Sequence, residues 1–265
     1  MWQDAKLLNA IANVLFSMVL LAVLGSGIWW VIQRPVFSLH VVRVEAEQKR
    51  ELRHVNTLTI REQALPKITG NFFTTNLDHV RQAFESVPWV RKASVQRVWP
   101  DKLVVVLEEH EVLGTWGEDG RLISTAGDVF TANLAEAEED TQLISFIGPE
   151  GSEKEVVAQY RQFKEWFSNI ALEPEAVEYS SRYAWSVKLD NGLRVELGKA
   201  QEPNGLKKRV EQLIKVYPQL ITRLQDSIVS VDMRYPNGLA LKSSSHGFGL
   251  ASKLDVKLSG KRRDE

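Results

Sequence analysis

The chain has 265 residues, 44% of them hydrophobic, with 33 basic against 34 acidic side chains for a formal net charge of -1. That length and apolar content support one large or two modest cores and exclude a wholly disordered chain, while the near-cancellation of charge excludes a global attraction for nucleic acid or an acidic substrate. The absence of cysteine removes disulfide and thiolate chemistry and fits a bacterial cytosol or a periplasmic domain equally well.

From Leu7 to Ile32 no residue is charged, and about 20 apolar helical residues suffice to cross the hydrocarbon layer. The sequence therefore predicts a membrane-spanning helix over residues 10–32 behind a short N-terminal segment, residues 1–9. Trp29 and Trp30 stand at its distal end, where indole rings favour the lipid–water interface. The run exceeds the roughly 7 to 15 residues of a signal-peptide core. A retained anchor is the reading, rather than a buried core helix or a cleaved leader, although Gly25-Ser26-Gly27 offers small residues for cleavage. Lys6 against Asp4 before the span and Arg34 after it leave the orientation open.

Residues 36–110 read as one small domain. A strand runs through Phe37, Leu39 and Val41, with Val42 and Val44 on its other face. Thr59 with Glu62 fits a capping box for a short helix that Pro66 ends. Asn76 caps a second helix, striped by Leu77, Val80 and Phe84 and stopped at Pro88. Two strands follow, with Ala93, Val95 and Arg97 on one face of the first and Leu103, Val105 and Leu107 on one face of the second, joined by the turn Trp99-Pro100-Asp101. The order is β-α-α-β-β, two helices covering a small sheet.

Residues 111–243 predict a second, β-rich domain with attached helices. Short strands flank a turn at Gly127, and the acid-rich residues 135–140 read as a solvated loop. Val156, Tyr160, Phe163, Phe167 and Ile170 recur at helical spacing. Three strands come next, the last two joined by Asp190-Asn191-Gly192. A helix from Gly205 to Tyr217 precedes a closing hairpin around Pro236-Asn237-Gly238. Residues 244–265 read as a flexible tail, and the fold class is α+β.

Catalytic patterns are missing. His40, His54, His79, His110 and His246 have no metal-ligand spacing, and there is no nucleophile elbow, P-loop or dinucleotide fingerprint. Glu108, Glu109 and Glu111 around His110 continue a strand, so their side chains alternate faces and cannot converge. Lys207-Lys208-Arg209 and Lys261-Arg262-Arg263 read as solvated charge. Trp89, Trp99 and Trp185 are expected in core or sheet packing.

Several stretches together resemble a known family. They are Gly70-Asn71-Phe72-Phe73, Pro88-Trp89-Val90, Ala93, Val95, Arg97, Trp99-Pro100, Leu103, Val105, Glu109 and Trp116, followed by Gly127, Phe130 and Gly148-Pro149. Leu189-Asp190-Asn191-Gly192, Leu197-Gly198-Lys199 and Val231-Asp232-Met233-Arg234-Tyr235 with Gly238 complete the set. In this order, behind a single N-terminal span, the chain resembles the FtsQ/DivIB family of bacterial cell-division proteins, in its Gram-negative form. Val112 departs from a common family proline, and Ser124 from a common acidic residue.

The resemblance implies a single-pass inner-membrane protein with a cytoplasmic N-terminus, a periplasmic POTRA domain and a C-terminal β-domain. It implies a non-enzymatic scaffold of the division machinery, concentrated at the septum and without cofactor, metal or nucleic acid. FtsB and FtsL are its implied partners, with other divisome membrane proteins meeting the POTRA domain, and control of septal peptidoglycan synthesis is the implied outcome. On this reading the partner adds a strand to an edge formed by Leu239, Leu241 and their neighbours up to Ser243. Arg234, Tyr235, Asn237 and Gly238 lie beside it, and Arg182 stands on a neighbouring strand to meet an acidic side chain. Replacing Leu241 by Pro is expected to weaken binding and leave the fold nearly intact. Two rivals from other classes are an outer-membrane assembly or secretion component, which requires a run of barrel strands after the POTRA unit, and a membrane-anchored hydrolase, which requires a clustered nucleophile and base.

Overall fold

The structure, a computed structural model, describes residues 2–32, 41–47, 52–224, 228–235 and 238–243. Helix α1 covers Trp2–Ile32. Within it, Leu8 to Trp30 is apolar enough to cross a membrane, and its side chains are exposed throughout, unlike those of a core helix. The rest of the described chain is mixed α and β and divides into two compact units between Glu109 and His110.

In the first unit, β1 (Val41–Ala46), β3 (Lys102–Glu109) and β2 (Val90–Val98) form a sheet in the order β1-β3-β2. Strand β1 runs parallel to β3, and β2 antiparallel to it. Helices α2 (Thr57–Gln63) and α3 (Leu77–Glu85) supply Ile60, Val80, Ala83 and Phe84 to a core shared with Ala93, Leu103, Val105 and Leu107. The expected Phe37 and Leu39 lie outside the described residues.

Two local expectations change. The cap of α2 is Asn56, whose Oδ1 accepts from the Thr59 amide at 2.8 Å and the Thr59 hydroxyl at 2.9 Å. The helix therefore starts at Thr57, three residues before the Ile60 start that a Thr59 cap would give, because the Asn56 side chain already satisfies a free N–H of the first turn. Trp99 is 73% exposed, whereas Trp89 and Trp185 are buried at 3%, so the packing expected of Trp99 is absent.

Polar residues of the first unit have structural tasks. The Glu109 carboxylate accepts from the amides of Arg53, His54 and Val55 at 2.9, 3.1 and 2.7 Å, tying the entrance of α2 to the end of β3. Asn71 Oδ1 accepts from the amides of Phe73 and Thr74, both at 3.0 Å. This folds the Gly70-Asn71-Phe72-Phe73 turn, where Gly70 has φ +99°. Arg97 donates to the carbonyl of Thr75 behind that turn.

The second unit is a nine-stranded sheet with helices packed on it. Its strands are β4 (Val112–Trp116), β5 (Arg121–Ser124), β6 (Val129–Phe130), β7 (Ile144–Ile147), β8 (Pro174–Tyr179), β9 (Ala184–Leu189), β10 (Arg194–Lys199), β11 (Ile228–Asp232) and β12 (Ala240–Ser243), ordered β12-β11-β10-β9-β8-β7-β4-β5-β6. Helices α5 (Glu153–Phe167) and α6 (Gly205–Leu224) bring Val156, Phe163, Phe167, Leu206, Val210 and Leu213 onto Trp116, Phe146, Trp185, Val187 and Val195. At Gly114 a Cβ would stand 1.9 Å from the carbonyl oxygen of Ile144, so only glycine lets β4 approach β7 so closely.

Residues 135–140 are not a loop. They belong to α4 (Leu134–Asp140), capped by Asn133 and anchored by fully buried Ala137, because alanine and glutamate are good helix formers once a cap starts the turn. Likewise α6 does not stop at Tyr217: Pro218 lies inside it, and Leu220 continues its buried face. The expected tail, residues 244–265, lies outside the described residues.

Candidate functional site

The closing strands β11 and β12 pair antiparallel through Ser230 with Lys242, Val231 with Leu241, and Asp232 with Ala240. Strand β11 pairs parallel with β10 on its other side, and β12 ends the sheet among the described residues. Alternation turns Val231 and Leu241 toward the core. Leu239 and Leu241 pack against it, partly buried, so Leu241→Pro removes core packing as well as an amide. The expectation that this change spares the fold is corrected on that ground. Lys242, one step along, is exposed.

Past Asp232 the chain is held over β10. The Met233 amide donates to the Glu196 carbonyl at 2.8 Å. Arg234 then folds back on Asp232: its amide and Nε donate to Oδ1 at 3.0 and 2.9 Å, and Nη2 donates to Oδ2 at 2.6 Å. The Asp232 side chain is 17% exposed and that of Arg234 61%. Hydrogen bonding to Arg234 holds the Asp232 carboxyl below its ordinary range, and the same pairing raises Arg234.

This bend needs Gly198, which has φ +73° and where a Cβ would stand 2.9 Å from Arg234 Cγ. Arg209 on α6 donates through Nη1 to the carbonyls of Leu197 and Lys199 at 2.6 and 2.8 Å. It is therefore a brace of the β10 end rather than solvated charge. Across the register, Glu196 faces Ser186 on β9 and Asp232 on β11. Burial chiefly raises the Glu196 carboxyl, the nearby Arg194 opposing this.

The structure thus brings Arg234, Tyr235, Gly238, Leu239 and Leu241 together at the β11–β12 end of the sheet. Tyr235 is 56% exposed. Asn237 lies outside the described residues. Gly238 has open space where a Cβ would stand. Arg182 is not on a neighbouring strand: it sits in the exposed turn between β8 and β9, with β9, β10 and β11 between it and β12. That turn nevertheless lies at the same end, because Ala184 pairs with Lys199 while Glu196 pairs with Asp232 and Asp232 with Ala240. Sequence reasoning missed Asp232, Gly198 and Arg209 as the parts that hold Arg234 and its bed. Only the i, i+2 spacing of Asp232 and Arg234 hinted at the pair.

Two family models match successive parts of the chain: "POTRA domain, FtsQ-type" over residues 50–110 and "Cell division protein FtsQ/DivIB, C-terminal" over residues 114–234. A "Cell division protein FtsQ" of Burkholderia pseudomallei is 46% identical over 248 residues, which cover 94% of this chain and 96% of the relative. The chain belongs to the FtsQ/DivIB family. A Bordetella pertussis relative of the same name is 39% identical over 91% of this chain and 92% of its own, and one from Neisseria gonorrhoeae 28% identical over 93% and 97%. The first unit is accordingly a POTRA domain, and the second carries the family's C-terminal domain. Membership brings a role in cell division, and the apolar N-terminal helix is consistent with a single-pass membrane protein.

Proposed function

We propose that this FtsQ-family chain is a non-catalytic scaffold of the division machinery. Its N-terminus is cytoplasmic, its two folded units are periplasmic, and it gathers at the septum. There it binds FtsB, and FtsL with it, and so helps set when septal peptidoglycan synthesis begins. The POTRA domain meets other membrane proteins of the divisome.

The observation that carries this reading is β12, which pairs with β11 on one side and has no strand on its other side among the described residues. A strand edge of this kind is the template for an added strand, with main-chain hydrogen bonds supplying affinity and flanking side chains specificity. Lys242 on the edge and Lys199, Arg234 and Arg182 at the same end of the sheet give it basic surroundings, which suit an acidic partner segment. Arg234 offers its charge already paired with Asp232, so an incoming carboxylate competes with that pair instead of meeting a lone cation. Tyr235 supplies an exposed aromatic anchor beside the edge.

The test is a calorimetric titration of the full-length chain in lipid nanodiscs with the periplasmic segment of FtsB. Wild type should bind one to one, and Tyr235→Ala should lose at least about tenfold in affinity, as for an aromatic hot spot worth more than roughly 1.4 kcal/mol, with unchanged circular dichroism. Equal affinities would remove the closing strand from the site.

A further inference from the structure

The most exposed large hydrophobic side chain among the described residues of the POTRA unit stands at the tip of its β2–β3 hairpin. Trp99 is 73% exposed and Val98 43%, and Lys102 beside them is exposed. An indole body in water gives up the burial that Trp89 achieves in the same unit. The position of this tip in the fold is specific. Val98 pairs with Lys102, and Lys102 pairs with Val41, so the tip stands about two strand spacings of roughly 4.8 Å from the first residue of β1. Strand β1 is where the chain enters the domain from α1, and only residues 33–40 separate Ile32 from Val41. Even fully extended, that connection reaches no more than about 30 Å. The hairpin tip is therefore at the end of the domain tethered to the lipid.

We propose that the Trp99-Pro100 tip is an interfacial contact with the bilayer that α1 crosses. The Trp99 indole and Val98 seat in the headgroup layer, and Lys102 faces anionic headgroups. Tryptophan favours this layer because its ring is apolar and its N–H finds polar partners there; a lysine near the surface adds attraction to anionic lipid. The contact gives the three-stranded sheet a fixed orientation, its strands rising from the membrane. The proposal rests on α1 being inserted, and the experiment examines that separately.

Because the chain has no cysteine, a single introduced one reports alone. Three full-length variants, Leu20→Cys, Lys92→Cys and Val98→Cys, are spin-labelled and reconstituted in vesicles of phosphatidylethanolamine and phosphatidylglycerol. Collision with oxygen, which partitions into lipid, is compared with collision with a water-soluble nickel chelate. The Leu20 label reports insertion of α1. Lys92 lies on the same strand as Val98 but about 20 Å from the tip, and its label should behave as fully aqueous. The expected result is a severalfold higher oxygen-to-nickel ratio at Val98 than at Lys92, lost when Trp99→Ser is added. Equal ratios at Val98 and Lys92 with Leu20 in lipid would overturn the contact while leaving the span intact, and would turn the exposed indole toward a protein partner. A Leu20 label in water would overturn the span and the proposal with it.

Discussion

Asp232 and Glu196 face each other across β10 and β11 and are displaced in opposite directions. Asp232 is held low by Arg234, so the folded chain binds its proton less tightly than the unfolded chain does. Its contribution to stability is present above the ordinary carboxylate range and is lost as pH falls through its folded value. Glu196 is held high by burial, so it subtracts stability above the ordinary range, and that cost disappears on acidification. In thermal melts, Asp232→Asn should lower stability at pH 7 by no more than about 1 kcal/mol, since Arg234 is well solvated, or about 3 °C in a unit of this size. The deficit should vanish in acid. Glu196→Gln should raise stability at pH 7, and that gain should disappear at higher pH than the Asp232 deficit does, as acid carries Glu196 from its raised folded value down to the ordinary one. Parallel shifts in the two variants would contradict the assignment. The juxtaposition of Glu196 and Asp232 was not legible in the sequence, because register, not spacing, sets them side by side.

At the scale of elements, α6 shows where local rules give way. Pro218 lacks the N–H that an interior helical position donates and crowds the carbonyl four residues back, which is why the sequence suggests an end at Tyr217. Tertiary packing overrides it: Leu220 is buried and Ile221 lies against the same core, and the Tyr217 hydroxyl accepts from Asn191 Nδ2 at 2.8 Å. Pro218→Ala should therefore restore an amide donor without disturbing a contact. The expected gain is about 1–3 kcal/mol by chemical denaturation; a loss would mean that the proline shapes the helix. Helix α4 departs from the expected loop for a related reason, since six residues rich in acid look solvated until Asn133 is recognised as their cap. The hairpins and the α3 and α5 stripes were legible because their periods are strict and their cores one-sided. The position of Arg182 differs from the expected one because strand order, which decides its neighbours, is not written in local pattern.

At the scale of the molecule, the same chain carries an apolar helix, a POTRA unit and a nine-stranded unit, and the family match runs through both folded parts. The fold class and the family were readable because turn glycines, caps and the Trp99-Pro100 and Asp190-Asn191-Gly192 turns recur in fixed order. The candidate site was only partly readable. Sequence pattern identified the closing hairpin, while the bed that holds Arg234 depends on Gly198 and Arg209 from other elements.

The central claim is that a partner strand adds to β12. Hydrogen–deuterium exchange of the full-length chain in nanodiscs, with and without the periplasmic segment of FtsB, tests it most directly. The account predicts slowed exchange of amides in residues 239–243 on binding, with little change in β6 at the opposite edge. Saturable binding that leaves the β12 amides as exchangeable as before would contradict it and move the site elsewhere on the chain.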